Sequence, residues 1–74
     1  MMYILDLLNK IKWDKNLQQE EYSIVYLDKN IKKEIKFKNL LNFNNLTLEI
    51  DNNIEIPLHY IREVKKAGKI IWKR

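Results

Sequence analysis

The apolar positions change period along the chain, and the change divides it into one helix and a run of strands. Ile4, Leu7, Leu8 and Ile11 recur at helical spacing, with Asp6, Asn9 and Lys10 off the stripe. Residues 3 to 12 are therefore predicted to form an amphipathic helix. Asp6 near its start and Lys10 and Lys12 near its end suit the helix dipole. Trp13 and Asp14 follow, off the stripe. Residues 15 to 21 are polar and read as a turn, and Asn16 with Gln19 has capping-box spacing, which allows a short helical turn there.

From Tyr22 the period is two. Tyr22, Ile24 and Tyr26 face one way and Ser23, Val25 and Leu27 the other, so residues 22 to 28 form a strand. Both of its faces are largely apolar, which places it centrally in a sheet. Lys29-Asn30 supplies a turn. In residues 33 to 38, Ile35 and Phe37 alternate with charge, as in a half-exposed strand. Residues 40 to 45 follow neither period. Leu46, Leu48 and Ile50 alternate with Thr47 and Glu49, Asp51-Asn52-Asn53 signals a turn, and Ile54 and Ile56 begin the return strand. Pro57 ends that strand or sets it at an edge. Residues 61 to 66 and 69 to 73 read as a hairpin about Ala67-Gly68, where the single glycine accepts a positive φ.

The fold class expected is α+β: one N-terminal helix packed on a mainly antiparallel sheet, or a small partly open barrel, of about five short strands. The connections are too short for parallel crossovers. At 74 residues the chain is expected to be a single domain over residues 1 to 74.

Composition narrows the chemistry. The chain is 46% hydrophobic, enough for a core, and it has no cysteine, which excludes disulfides and thiolate metal sites. No apolar run reaches membrane-span length and no signal peptide is visible, so a cytoplasmic protein without a membrane partner is expected. Formal net charge is +4, nearly all from lysine, with Arg62 and Arg74 the only arginines. Such a balance suits a polyanionic partner, and equally a solubilising surface. Lys29, Lys32, Lys33, Lys36 and Lys38 form the densest basic run, read either as phosphate contacts or as an edge strand guarded by lysine.

Catalytic groups are few. His59 is the sole histidine, Ser23 lies inside a strand, the carboxylates are scattered, and one glycine cannot make a phosphate loop. Neither a cofactor nor a metal is expected, and the chain is read as a binding protein rather than an enzyme. The most informative string is Pro57-Leu58-His59-Tyr60-Ile61-Arg62. Proline fixes the backbone just before a histidine, an aromatic and an arginine, with His59 at a strand start or in the turn. The alternative is a proline that merely ends a strand and a histidine bonded to a backbone carbonyl. Trp72, alternating with Ile70, reads as core; Trp13 beside Asp14 is open. Tyr22 and Tyr26, on the face of Asp28, either stack bases or cover the helix.

Four short motifs in order, Leu8-Asn9-Lys10-Ile11-Lys12-Trp13-Asp14, the tyrosine-bearing strand ending at Asp28, Ile56-Pro57-Leu58-His59 and Gly68-Lys69-Ile70-Ile71-Trp72, resemble the RNA cyclic group end recognition domain, a small, mainly archaeal family also found fused to RNA-processing domains. The resemblance spans nearly the whole chain. It implies binding of RNA ends that carry a phosphate or 2′,3′-cyclic phosphate, in RNA processing or repair, with RNA-processing proteins as further partners. By matching motif it points to Asp14, Asp28, Pro57, His59 and Trp72. Two positions depart from the family pattern: Asp28 is followed by Lys29 where the family usually has arginine, and His59 by Tyr60 where arginine is usual.

The candidate RNA- and phosphate-binding residues are therefore His59, Arg62, Tyr60, Asp14, Asp28, Lys29, Tyr26 and Trp13. Lysine and arginine would neutralise phosphates, His59 would donate to a phosphate oxygen, and an aromatic would stack the terminal base. The rival reading is a protein-interaction or oligomerisation module that uses an open sheet edge.

Overall fold

The computed structural model describes residues 3 to 51 and 54 to 74. Helix α1 spans Ile4–Trp13 and is followed by seven strands: β1 Tyr22–Asp28, β2 Ile31–Lys36, β3 Asn42–Phe43, β4 Thr47–Asp51, β5 Ile54–Pro57, β6 Ile61–Lys66 and β7 Lys69–Lys73. They form two antiparallel sheets, one of four strands in the order β2-β1-β6-β7 and one of three in the order β3-β4-β5. The α+β class holds. The single sheet, or partly open barrel, of about five strands gives way to two separate sheets and seven strands.

The reasons lie in particular residues. The strand expected over 33 to 38 runs instead from Ile31 to Lys36, because Phe37–Asn39 form a 3-10 turn that drives Phe37 into the core. The aperiodic stretch 40 to 45 contains the two-residue β3, which pairs with β4. Leu46 does not share a face with Leu48. The Asn44 side-chain oxygen accepts from the backbone N–H of Leu46 and of Thr47, which makes Leu46 part of a turn and leaves it 70% exposed. The turn expected at Asp51-Asn52-Asn53 falls on Asn52 and Asn53, outside the described residues.

β1 matches its expected bounds and lies between β2 and β6, as its two apolar faces require. One core joins the helix to both sheets: Leu7, Leu8 and Ile11 of α1 pack with Ile24, Ile61 and Val64 of the larger sheet and Leu48 and Ile56 of the smaller. Leu8, Ile11, Ile24, Leu48, Ile61 and Val64 are fully buried, each contributing about 1.5–3 kcal/mol of burial free energy. The β1–β2 and β6–β7 hairpins have the backbone of type I′ turns, with positive φ at Lys29 and Asn30 and at Ala67 and Gly68.

The chain passes between the sheets twice, each time through a 3-10 turn: Phe37–Asn39 carries it from β2 to β3, and Leu58–Tyr60 from β5 to β6. Pro57 closes β5, an edge strand, so its missing N–H breaks no ladder. Its φ of −57° sets the chain into the turn.

Candidate nucleic-acid interface

The Leu58–Tyr60 turn stands between surface hollows and presents a different side chain to each side. Leu58 points into the core and His59 and Tyr60 outward, their rings edge-to-face with centroids 4.7 Å apart. On one side, a hollow of about 470 Å³ is lined by Tyr3, Asp6, Asn45, Leu46, His59 and Arg74, among others. On the other, Tyr60 lines one hollow of about 260 Å³ with Lys29, Asn30 and Arg62, and another of about 200 Å³ with Tyr26, Asp28, Lys33 and Pro57.

Among the described residues the His59 imidazole has no hydrogen-bond partner; its ring contact is Tyr60. The alternative of a histidine bonded to a neighbouring carbonyl is therefore not what the fold builds. The nearby carbonyls are taken by Arg74: its Nε donates to the Ile61 oxygen at 2.9 Å and its Nη2 to the Leu58 oxygen at 3.1 Å. The guanidinium also lies 5.4 Å from the ring centroid of Trp72, which is half-buried against the core, and the Arg74 backbone N–H bonds the Arg62 carbonyl. Two of five N–H donors are thus used, and Arg74 lines the hollow. An arginine fixed in this way loses little freedom on meeting an anion. Asp6 is the acidic member of this hollow.

Arg62 is the extra residue of a bulge in β6: Val25 pairs with Glu63 and Tyr26 with Ile61. Bulges re-aim side chains, and this one accompanies the placing of Arg62 with Tyr60 and Lys29. Among the described residues the Arg62 guanidinium has no carboxylate partner. Asp28 is engaged: Lys33 Nζ donates to its Oδ2 at 2.9 Å. This bond and the Lys33 and Lys29 charges hold the Asp28 carboxyl below its usual range, and the same bond raises Lys33. The basic run therefore divides. On the edge strand β2, Lys32 pairs with Glu63 and Lys33 pairs with Asp28 of β1 while also lining a hollow; Lys29 and Lys38 line hollows without an ion pair among the described residues.

The turn gathers His59, Tyr60 and Arg62, and with them Lys29, Tyr26 and Asp28. Trp13 and Asp14 lie elsewhere, at the far end of α1 from the residues that line the His59 hollow. Asp14 serves the helix end instead. Its N–H bonds the Lys10 carbonyl, its Oδ1 accepts from the Asn16 N–H, and its carbonyl accepts from Leu17. That web stops α1. Arg74 is the site residue that periodicity did not point to. The available signal was its type, one of two arginines in a chain that otherwise uses lysine.

These features define a small α+β domain whose sheet crossing carries a histidine with no hydrogen-bond partner among the described residues, flanked by Arg62 of β6 and by Arg74 after β7. The chain belongs to the MJ1316 RNA cyclic group end recognition domain family, whose model matches residues 1–74. Archaeal relatives are similar over nearly their whole length. A UPF0248 protein of Metallosphaera sedula is 32% identical over 74 residues, covering 99% of this chain and 94% of the relative. One from Saccharolobus islandicus is 35% identical over 80 residues, covering 99% and 100%. Another from Methanococcus maripaludis is 32% identical over 74 residues, covering 93% and 95%. No solved structure matches significantly. Among the described residues, no helix is long and apolar enough to cross a membrane, and no group of His, Asp or Glu is placed to hold a metal ion.

Proposed function

We propose that this domain binds single-stranded RNA by its 3′ end, seating a terminal phosphate or 2′,3′-cyclic phosphate at the Leu58–Tyr60 turn without cleaving it. The observation that carries this reading is the shared hollow of His59 and Arg74. Among the described residues the imidazole has no hydrogen-bond partner, and the guanidinium is already anchored by two carbonyls. Both donate to anionic oxygens, and charge-assisted bonds contribute about 1.5–3 kcal/mol each. Across the turn, Tyr60 offers an exposed ring for a base, Arg62 and Lys29 neutralise preceding phosphates, and Asp28 accepts from a sugar hydroxyl. The family's description names the same kind of ligand. Binding without turnover is the simpler chemistry because a single histidine cannot supply a two-imidazole acid–base pair.

The test compares short RNAs that differ only at the 3′ end, as hydroxyl, phosphate or cyclic phosphate, against the wild type and His59→Ala. The wild type is expected to prefer the phosphorylated ends, and the variant to lose that preference while keeping its melting temperature, since His59 is exposed. Equal loss on all three RNAs would sink end recognition.

A protein-interaction role has one observation in its favour. β7 is one of the two outer strands of its sheet, and Ile70 and Ile71 are about half exposed on it. A bulge at Ile71 and the flanking Lys69 and Lys73 blunt that edge. Concentration-dependent dimerisation without RNA affinity would mark this role.

A further inference from the structure

The second sheet crossing, at Phe37–Asn39, lies toward the other end of α1 and carries its own cationic aromatic cluster. Lys12 Nζ sits 5.0 Å from the Trp13 ring centroid and 5.3 Å from that of Phe43, and Phe43 packs on Phe37 at 6.4 Å. Lys12 and Lys38 line the adjoining hollow of about 130 Å³, and none of its lining residues is acidic. Trp13 remains 72% exposed. A tryptophan buries a large apolar area when it has something to cover, so an exposed one is a platform in want of a flat partner. Lysine beside an open aromatic face is the pairing that single-stranded nucleic acid uses, bases on the ring and phosphates on the ammonium groups.

We infer that Trp13, with Lys12 and Lys38, forms a second RNA contact that stacks a base upstream of the bound 3′ end. This rests on the RNA-end reading above and gives it a strand polarity and a minimal length. The ten residues of α1 rise about 15 Å, equivalent to about four stacked nucleotides. A dinucleotide held at His59 therefore falls short of Trp13, and an octanucleotide reaches it.

The experiment measures affinity for a dinucleotide and an octanucleotide, each ending in 2′,3′-cyclic phosphate, with the wild type, Trp13→Ala and Trp13→Phe. The wild type is expected to bind the octanucleotide tighter by roughly five- to a hundredfold, the range for stacking one base on an aromatic ring. Trp13→Ala should remove the stacking part of that gain, leaving the part that Arg62 and Lys29 contribute, with dinucleotide affinity unchanged, and Trp13→Phe should retain much of the stacking part. The inference is overturned if Trp13→Ala keeps the full gain, or weakens both RNAs equally. An octanucleotide ending in hydroxyl separates the two readings: if it binds as tightly as the cyclic form and still depends on Trp13, the strand contact stands and end recognition falls.

Discussion

Arg74 holds the backbone of Leu58, its Nη2 donating to the Leu58 carbonyl oxygen at 3.1 Å while its Nε reaches Ile61. The side chain thus fastens both ends of the turn that bears His59. Lysine keeps the charge but offers a point ammonium in place of a planar fork. Arg74→Lys is therefore expected to weaken binding of 3′-phosphorylated RNA by about tenfold, the loss of one charge-assisted bond, with little change for RNA ending in hydroxyl. Titration of both RNAs against both proteins checks this; a uniform small loss would show Arg74 to be a turn anchor only.

Asp6 lies in the same hollow as His59 and Arg74. A carboxylate there repels a phosphate and favours a ligand that donates hydrogen bonds. If the terminal phosphate occupies this hollow, Asp6→Asn should tighten binding by about two- to fivefold at low salt, as expected for a solvent-screened charge. Weaker binding by Asp6→Asn would move the phosphate to the Arg62 side of the turn.

Much of the fold is legible in the sequence because local signals agree with burial. The α1 stripe, the alternation of β1 and the Ala67-Gly68 turn need no knowledge of the rest of the chain. The sheet crossings are different. Phe37 alternates correctly for a strand, yet the core beneath it captures the ring and turns the backbone, a tertiary effect that periodicity cannot express. The site divides in the same way. Proline before histidine marks the Leu58–Tyr60 turn, and the family motifs mark His59. The partnership with Arg74 arises only because β7 returns beside β6, and the separation of Trp13 from His59 reflects the length of α1.

The Asp28–Lys33 pair gives a pH signature. Asp28 titrates below its usual range chiefly because Lys33 donates to it. A depressed carboxyl stabilises the fold above its unfolded value, and that contribution is lost as pH falls from the ordinary aspartate range through the depressed one. Lys33 is raised for the same reason, so its contribution is lost only as pH rises through the raised lysine value. Both groups are exposed, so the effect on stability is small. Lys33→Met should move the Asp28 titration upward by NMR; an unmoved titration would mean the pair does not form in solution.

Lys29 joins strain to charge in one residue, and the two can be separated. Its φ of 53° is in the left-handed region, where asparagine is favoured over lysine, and it lines the hollow with Tyr60 and Arg62. Lys29→Asn is expected to stabilise the fold by about 0.5–1 kcal/mol, the equivalent of a several-fold conformational preference. For a domain of this size that raises Tm by about 2–8 °C. If Lys29 neutralises a phosphate, the same change should weaken RNA binding at low salt and lower the slope of log K against log salt by about 0.7, the value of one single-strand phosphate contact. Ala67→Asn is the control. Ala67 has φ 51° in the other hairpin and lines none of the hollows at the turn, so it should raise Tm with no change in RNA affinity or slope. Thermal melts and salt titrations on the two variants give the answer. Opposite signs for stability and affinity at Lys29, against stability alone at Ala67, place Lys29 on the RNA. If both variants leave the salt slope unchanged, the β1–β2 turn is only a turn, and phosphate contacts must be sought at Arg62 and Arg74.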